Sequence, residues 1–174
     1  MRWLGICILT GLVLILQSTL APRLAVATAR PDWALAVVVM LAMHARGVDA
    51  LVAAALIGWC ADMTSIERLG VHAIPYTMVA WLIVSSREAL FRRAMVTQAA
   101  VTLLAALSVQ ACWLVYRAAT DVGLGNGLVG ACGLGVLASL YTAIWAPPIH
   151  AAAKWFPGAV GKPGPGAARA AHAG

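Results

Sequence analysis

Ser65, His72 and Asp62 are the residues of this chain whose types would suit a nucleophile, its base and an orienting carboxylate. Such a trio is offered by any chain with these common residues, and the remaining chemistry does not gather around it. His44, His72, His150 and His172 fall in different connections, whereas catalysis needs convergent groups. No HExxH, GxSxG, phosphate-binding loop or CxxC pattern occurs. Cys7, Cys60, Cys112 and Cys132 each lie inside an apolar run, where a cysteine acts as a small packing residue. The sequence therefore predicts no catalytic residue, no metal site and no cofactor.

The ionisable residues are arranged by another rule. Twelve Lys and Arg and six Asp and Glu stand in the seams between uncharged runs at 3 to 22, 33 to 45, 50 to 61, 69 to 86, 94 to 116 and 122 to 153. A hydrocarbon core of roughly 30 Å takes about 20 apolar residues per helical crossing. Together with 63% hydrophobic and 10% charged residues, this spacing predicts an all-α integral membrane helical bundle. A net charge of +6 does not point to nucleic acid, because the basic residues are neither clustered nor interleaved with exposed aromatics. It follows instead from the excess of Lys and Arg on the cytoplasmic side of membrane proteins.

Expected spans are residues 3–21, 32–46, 48–65, 69–86, 94–117 and 123–146, forming one transmembrane domain over 1–157. Residues 158–174 read as a disordered cytoplasmic tail, with a Gly-Lys-Pro-Gly-Pro-Gly start. The first run reads as a retained helix in preference to a signal peptide, being long for such a segment and ending in Gln17, Ser18 and Thr19. The second and third runs admit two models. One helix from Trp33 to Ala61 gives five spans but places Arg46 and Asp49 near the bilayer centre, at about 2.5–3.5 kcal/mol each. A hairpin with its turn at Gly47 gives six and is preferred. With both termini in the cytoplasm, the inner segments hold Arg2, Arg46, Arg87, Arg92, Arg93, Lys154, Lys162 and Arg169, against Arg23, Arg30, Arg68 and Arg117 outside. The five-span model also leaves the C-terminus cytoplasmic, so charge bias does not fix the span count.

Small residues carry the packing signal, since close approach of backbones drives association in lipid. Gly123, Gly127, Ala131, Gly135, Ser139 and Ala143 recur at steps of four along the last span, and Ala50, Ala54 and Gly58 lead to Asp62 on the third. Gln98, Thr102 and Gln110 make a weakly polar stripe on the fifth. Pro147 and Pro148 are expected to end or kink the sixth. Ion-coupled transport is disfavoured, because mid-span positions are apolar or small and no repeated halves are visible.

The stretch Leu16-Gln17-Ser18-Thr19-Leu20-Ala21-Pro22-Arg23-Leu24 precedes Arg30-Pro31-Asp32 and Arg46-Gly47. Gly58-Trp59-Cys60-Ala61-Asp62 and Leu69-Gly70-Val71-His72-Ala73 complete the series. In order and spacing these elements resemble the rod shape-determining membrane protein family MreD over roughly residues 10 to 93. Ile66-Glu67-Arg68 departs from the small residues and proline that the family carries before its Leu-Gly pair.

The resemblance implies a noncatalytic scaffold of the bacterial lateral-wall elongation machinery, maintaining rod shape and organising peptidoglycan synthesis in the cytoplasmic membrane. It implies as partners the bitopic protein MreC, the MreB filament, and a peptidoglycan polymerase with its class B transpeptidase. It also implies a fold similar to the substrate-binding subunits of energy-coupling-factor vitamin transporters, and such a subunit is the alternative reading. On the scaffold reading, Arg23, Arg30, Asp32, Asp62 and His72 are outer-face residues that organise the outer loops or contact a partner. Gly58, Gly123, Gly127, Ala131, Gly135 and Ser139 are helix-packing positions.

Overall fold

The computed structural model describes residues 2–25, 29–65, 70–86, 95–120 and 127–152. These described residues form a bundle of six α-helices: α1 Arg2–Thr19, α2 Trp33–His44, α3 Gly47–Thr64, α4 Ala73–Ser86, α5 Met95–Ala119 and α6 Gly127–Ala152. The expected tail, Gly123 and the Ile66-Glu67-Arg68 departure lie outside the described residues.

The organising element is α2. Its sequence, Trp-Ala-Leu-Ala-Val-Val-Val-Met-Leu-Ala-Met-His, is apolar on every side, and every residue from Trp33 to Met43 is buried. A helix that is apolar all round belongs in an interior, and α2 packs against all five other helices. Its 12 residues rise only about 18 Å, too little to cross a bilayer alone. Because neighbours and not lipid surround it, the shortfall is covered by protein.

Helices α3, α5 and α6 are long and apolar enough to cross a membrane, and α1, α2 and α4 are shorter apolar helices. Size sorts the two sides of α3. Ala50, Ala53, Ala54, Ile57 and Gly58 face the interior, whereas Val52, Leu56, Trp59 and Met63 are exposed. Along α1, Leu4, Ile8, Leu12 and Ile15 are exposed opposite buried Ile6 and Leu9. Large apolar side chains outside and small ones inside are what a bundle in lipid requires, since close packing gains most there.

Arg46 separates α2 from α3, but the turn is not made by Gly47. Ala45 and Arg46 carry it in extended backbone (φ −82°, ψ 171° and φ −65°, ψ 145°), and Gly47 is already the first residue of α3. Gly47 is small for another reason: a Cβ there would stand 3.1 Å from Cγ1 of Val84 on α4. The α6 helix likewise differs from expectation, running through Pro147 and Pro148 to Ala152. Each proline removes one intrahelical hydrogen bond, a loss that membrane helices accommodate within a packed bundle.

The lower part of the small-residue ridge on α6 is buried at Gly135, Ser139 and Ala143, and at Gly135 a Cβ would stand 3.6 Å from the Gln110 Cβ on α5. Gly127 does not pack: it is exposed, has open space where a Cβ would sit, and adopts φ +70° at the first residue of the helix. Its smallness serves backbone conformation, as left-handed φ favours glycine.

The inner face of α3 leads to a direct expectation. Replacing Ala53 or Ala54, both fully buried, by Leu should lower stability by about 1–3 kcal/mol through overpacking. Leu56→Ala on the exposed face should change it by about 0.5 kcal/mol or less. Thermal unfolding in detergent, followed by loss of the monodisperse elution peak, distinguishes them; equal effects would contradict the inside–outside assignment of α3.

Candidate functional site

Helix N-termini leave backbone N–H groups without intrahelical acceptors, and within a bundle each needs one. At one end of this bundle two aspartates provide them. Asp62, in the last turn of α3, is 2% exposed. Its Oδ2 accepts from the N–H groups of Gly70 (2.8 Å) and Ala73 (3.2 Å). Its Oδ1 accepts from the N–H of His72 and from His72 Nδ1, both at 2.8 Å. One carboxylate thus holds the backbone entering α4 and selects the His72 tautomer with its proton on Nδ1.

Two glycines make this approach possible. Gly58 lies one turn before Asp62, and a Cβ there would fall 2.5 Å from Ala73 Cα and 3.0 Å from the His72 carbonyl oxygen. The start of α4 therefore rests on the bare backbone of α3. Gly70 adopts φ +102°, a conformation that other residues rarely take. The spacing of Gly58, Asp62, Gly70, His72 and Ala73 is the linear trace of one clasp.

Asp32 makes the second junction. Its Oδ1 caps α2 by accepting the Leu35 N–H at 3.0 Å, and its Oδ2 accepts the hydroxyl of fully buried Tyr76 at 2.6 Å. The Asp32 N–H donates to Thr142 Oγ1 on α6 at 2.9 Å. Beside it, the Trp33 N–H donates to Gln17 Oε1 at 2.9 Å, and Gln17 Nε2 donates to the Pro31 carbonyl at 3.3 Å. Asp32 and its neighbours thereby tie α1, α2, α4 and α6 together. The His72 and Tyr76 rings meet edge to face, with centroids 5.9 Å apart, so the two aspartate junctions are continuous through α4.

Ser65 does not complete a catalytic trio, because its hydroxyl donates to the Asp62 backbone carbonyl at 3.0 Å. Arg23 is exposed in the turn after α1, apart from the clasp. Arg30, also exposed, lines a cavity of about 460 Å³ together with Asp32, His72, Gln110, Trp113 and Arg117. Among the described residues no group of three or more His, Cys, Asp or Glu is placed to hold a metal ion.

The family model for rod shape-determining protein MreD matches residues 1–146. The chain belongs to the MreD family. No curated protein and no solved structure matches it. As an MreD-family member it is a noncatalytic, multi-pass membrane protein of the cell elongation machinery that determines rod shape. Family membership decides against the vitamin-transporter alternative. Within this MreD chain, sequence reasoning singles out Asp32, Asp62 and His72 but misses Tyr76, Thr142 and the role of Gln17. Tyr76 carries one signal, an aromatic hydroxyl one turn after His72.

The clasp predicts a ranking of variants. Asp62→Ala leaves three backbone donors without their acceptor, at about 1–3 kcal/mol for each buried group. Tyr76→Phe removes a single hydroxyl bond, at about 1–2 kcal/mol. Gly58→Ala forces the α4 entry outward, at about 1–3 kcal/mol or more. Unfolding temperatures in detergent should therefore place Asp62→Ala below Tyr76→Phe; the reverse order would refute the clasp.

Proposed function

We propose that the end of the bundle holding Asp32 and Asp62 faces outward and that its described surface around the α4 entry, Gly70 to Ala73, contacts the extracytoplasmic part of MreC. The termini then lie in the cytoplasm, where the MreB filament is reached. The polymerase and its class B transpeptidase join through the same scaffold. The supporting observation is the four-bond grip of Asp62 on Gly70, His72 and Ala73: the entry to α4 is held in place by its own backbone donors, and a pre-ordered surface binds without the entropy cost of ordering. Charge bias supports the orientation, with eight basic residues on the proposed inner side and four on the outer.

On this reading Asp62 and His72 shape the surface, Asp32 anchors it to the core, and exposed Arg23 and Arg30 are the residues free to meet a partner. The small residues Gly58, Ala131, Gly135 and Ser139 keep the helices beneath it close.

Two measurements test the proposal. Asp62→Ala, expressed as the sole copy in a rod-shaped host, should still reach the membrane but co-purify less MreC and give rounded cells. Normal shape with unchanged co-purification at equal membrane levels would remove Asp62 from the contact surface. A reporter active only outside the cytoplasm should be active when inserted after Ser65 and inactive when fused after Ala152; the opposite pattern would invert the orientation.

A further inference from the structure

The cavity beside Asp32 is bordered by both aspartate junctions, through Asp32 and His72. It lies between α5, α6 and the segments holding Arg30 and His72, with a volume of about 460 Å³, within the range of small-ligand sites. Its polarity is graded along α5. Val109 is apolar; Gln110, Trp113 and Arg117 then line the cavity on successive turns, and Arg117 lies in the last turn of the helix. The Arg117 guanidinium lies over the Trp113 ring, 4.2 Å from its centroid, a stacking that holds its plane in a fixed attitude. A second arginine, exposed Arg30, also lines the cavity. On the α6 side, Leu134 and Ala138 continue the apolar wall.

An Arg and a Trp near a helix end commonly serve as interfacial anchors, but anchors point away from a bundle, whereas this pair lines a space between helices. Two arginines and one carboxylate line the cavity, and the two oxygens of that carboxylate, Asp32, already accept from Leu35 N–H and Tyr76 O–H. Guanidinium groups match phosphate oxygens in geometry as well as charge. With Nδ1 engaged by Asp62, Nε2 is the ring nitrogen of His72 left for a ligand, and the Gln110 amide offers both donor and acceptor; both suit hydroxyls. Cationic and hydroxyl-binding groups above an apolar wall describe a site for an amphiphile.

We infer that this cavity binds the headgroup of a membrane phospholipid, with the phosphate between Arg30 and Arg117 and a hydroxyl-bearing headgroup toward Gln110 and His72. The inference shares Arg30 with the proposed partner surface but does not require that surface, and its readout, bound lipid, is separate from partner co-purification. The test uses the full-length protein, delipidated in detergent and titrated with dioleoyl phosphatidylglycerol, and bound lipid is counted by native mass spectrometry. A parallel series uses glycerol 3-phosphate and inorganic phosphate, followed by tryptophan fluorescence. The wild type should hold one phosphatidylglycerol. The double variant Arg30→Gln/Arg117→Gln should bind it about tenfold more weakly or worse, the scale of one lost charge-assisted hydrogen bond. Ala131→Phe, which fills the cavity and leaves both guanidinium groups in place, should weaken it similarly and guards against misfolding of the double variant. Equal lipid retention in all three proteins would overturn the inference. So would loss in Ala131→Phe alone, since phosphate recognition would then be absent. Displacement of the lipid by equimolar glycerol 3-phosphate or phosphate would assign the site to a soluble ligand and overturn its lipid source.

Discussion

An N–H group at the start of a helix must find an acceptor, and inside a membrane bundle water is not there to supply one. Two helix starts at the polar end of this protein, those of α2 and α4, meet that demand with a carboxylate. Asp32 caps its own helix, α2, whereas Asp62 reaches across from α3 to serve α4. The difference matters. A local cap stabilises one helix, but a cap supplied from another helix also fixes the relative position of the two, and most of the remaining arrangement follows from that fixation. Gly58 can be nothing larger because α4 is drawn down onto it, and Gly70 must be glycine because the chain turns sharply to aim its N–H at the same carboxylate.

Around this end the bundle solves a further problem, the placement of a helix too short to span. Burial of α2 on every side exchanges contact with lipid for contact with five neighbours. The neighbours can close in because the inner face of α3 is built from alanine and glycine and the lower half of α6 from Gly135, Ser139 and Ala143. Thr142, about one turn on from Ser139, then reaches the backbone of Asp32. Short helix, small residues and polar junction are consequences of one geometry.

Much of this is legible in the sequence because it is written in local spacing. Charges mark the seams between helices, Arg46 breaks the second apolar stretch where the chain turns, and Asp62 precedes His72 at a distance that a short connection closes. What is not legible depends on residues far apart. Asp32 meets Tyr76 and Thr142, common residue types at sequence separations of 44 and 110, and no local pattern links them. The cavity likewise draws on α5, α6 and two connections. Gly47 and Gly127 depart from expectation in opposite directions: the residue type that suits a turn is a contact point at 47, and the member of the small-residue ridge at 127 serves backbone conformation. The prolines of α6 do not end it, because their intrinsic cost is real but is absorbed by the packed surroundings.

The direction of chain synthesis gives the clasp a temporal meaning. Asp62 enters the membrane at the end of α3, yet every donor that satisfies its carboxylate belongs to residues 70 to 73. Asp32 has its local bond to Leu35 early but waits for Tyr76 and Thr142. During biogenesis both residues therefore stand short of partners on helices not yet made. A chain halted after α3 would carry two incompletely satisfied acids, since the donors that complete them lie on segments still to be made. The arrangement that holds the mature bundle together is therefore complete only once α6 has joined it.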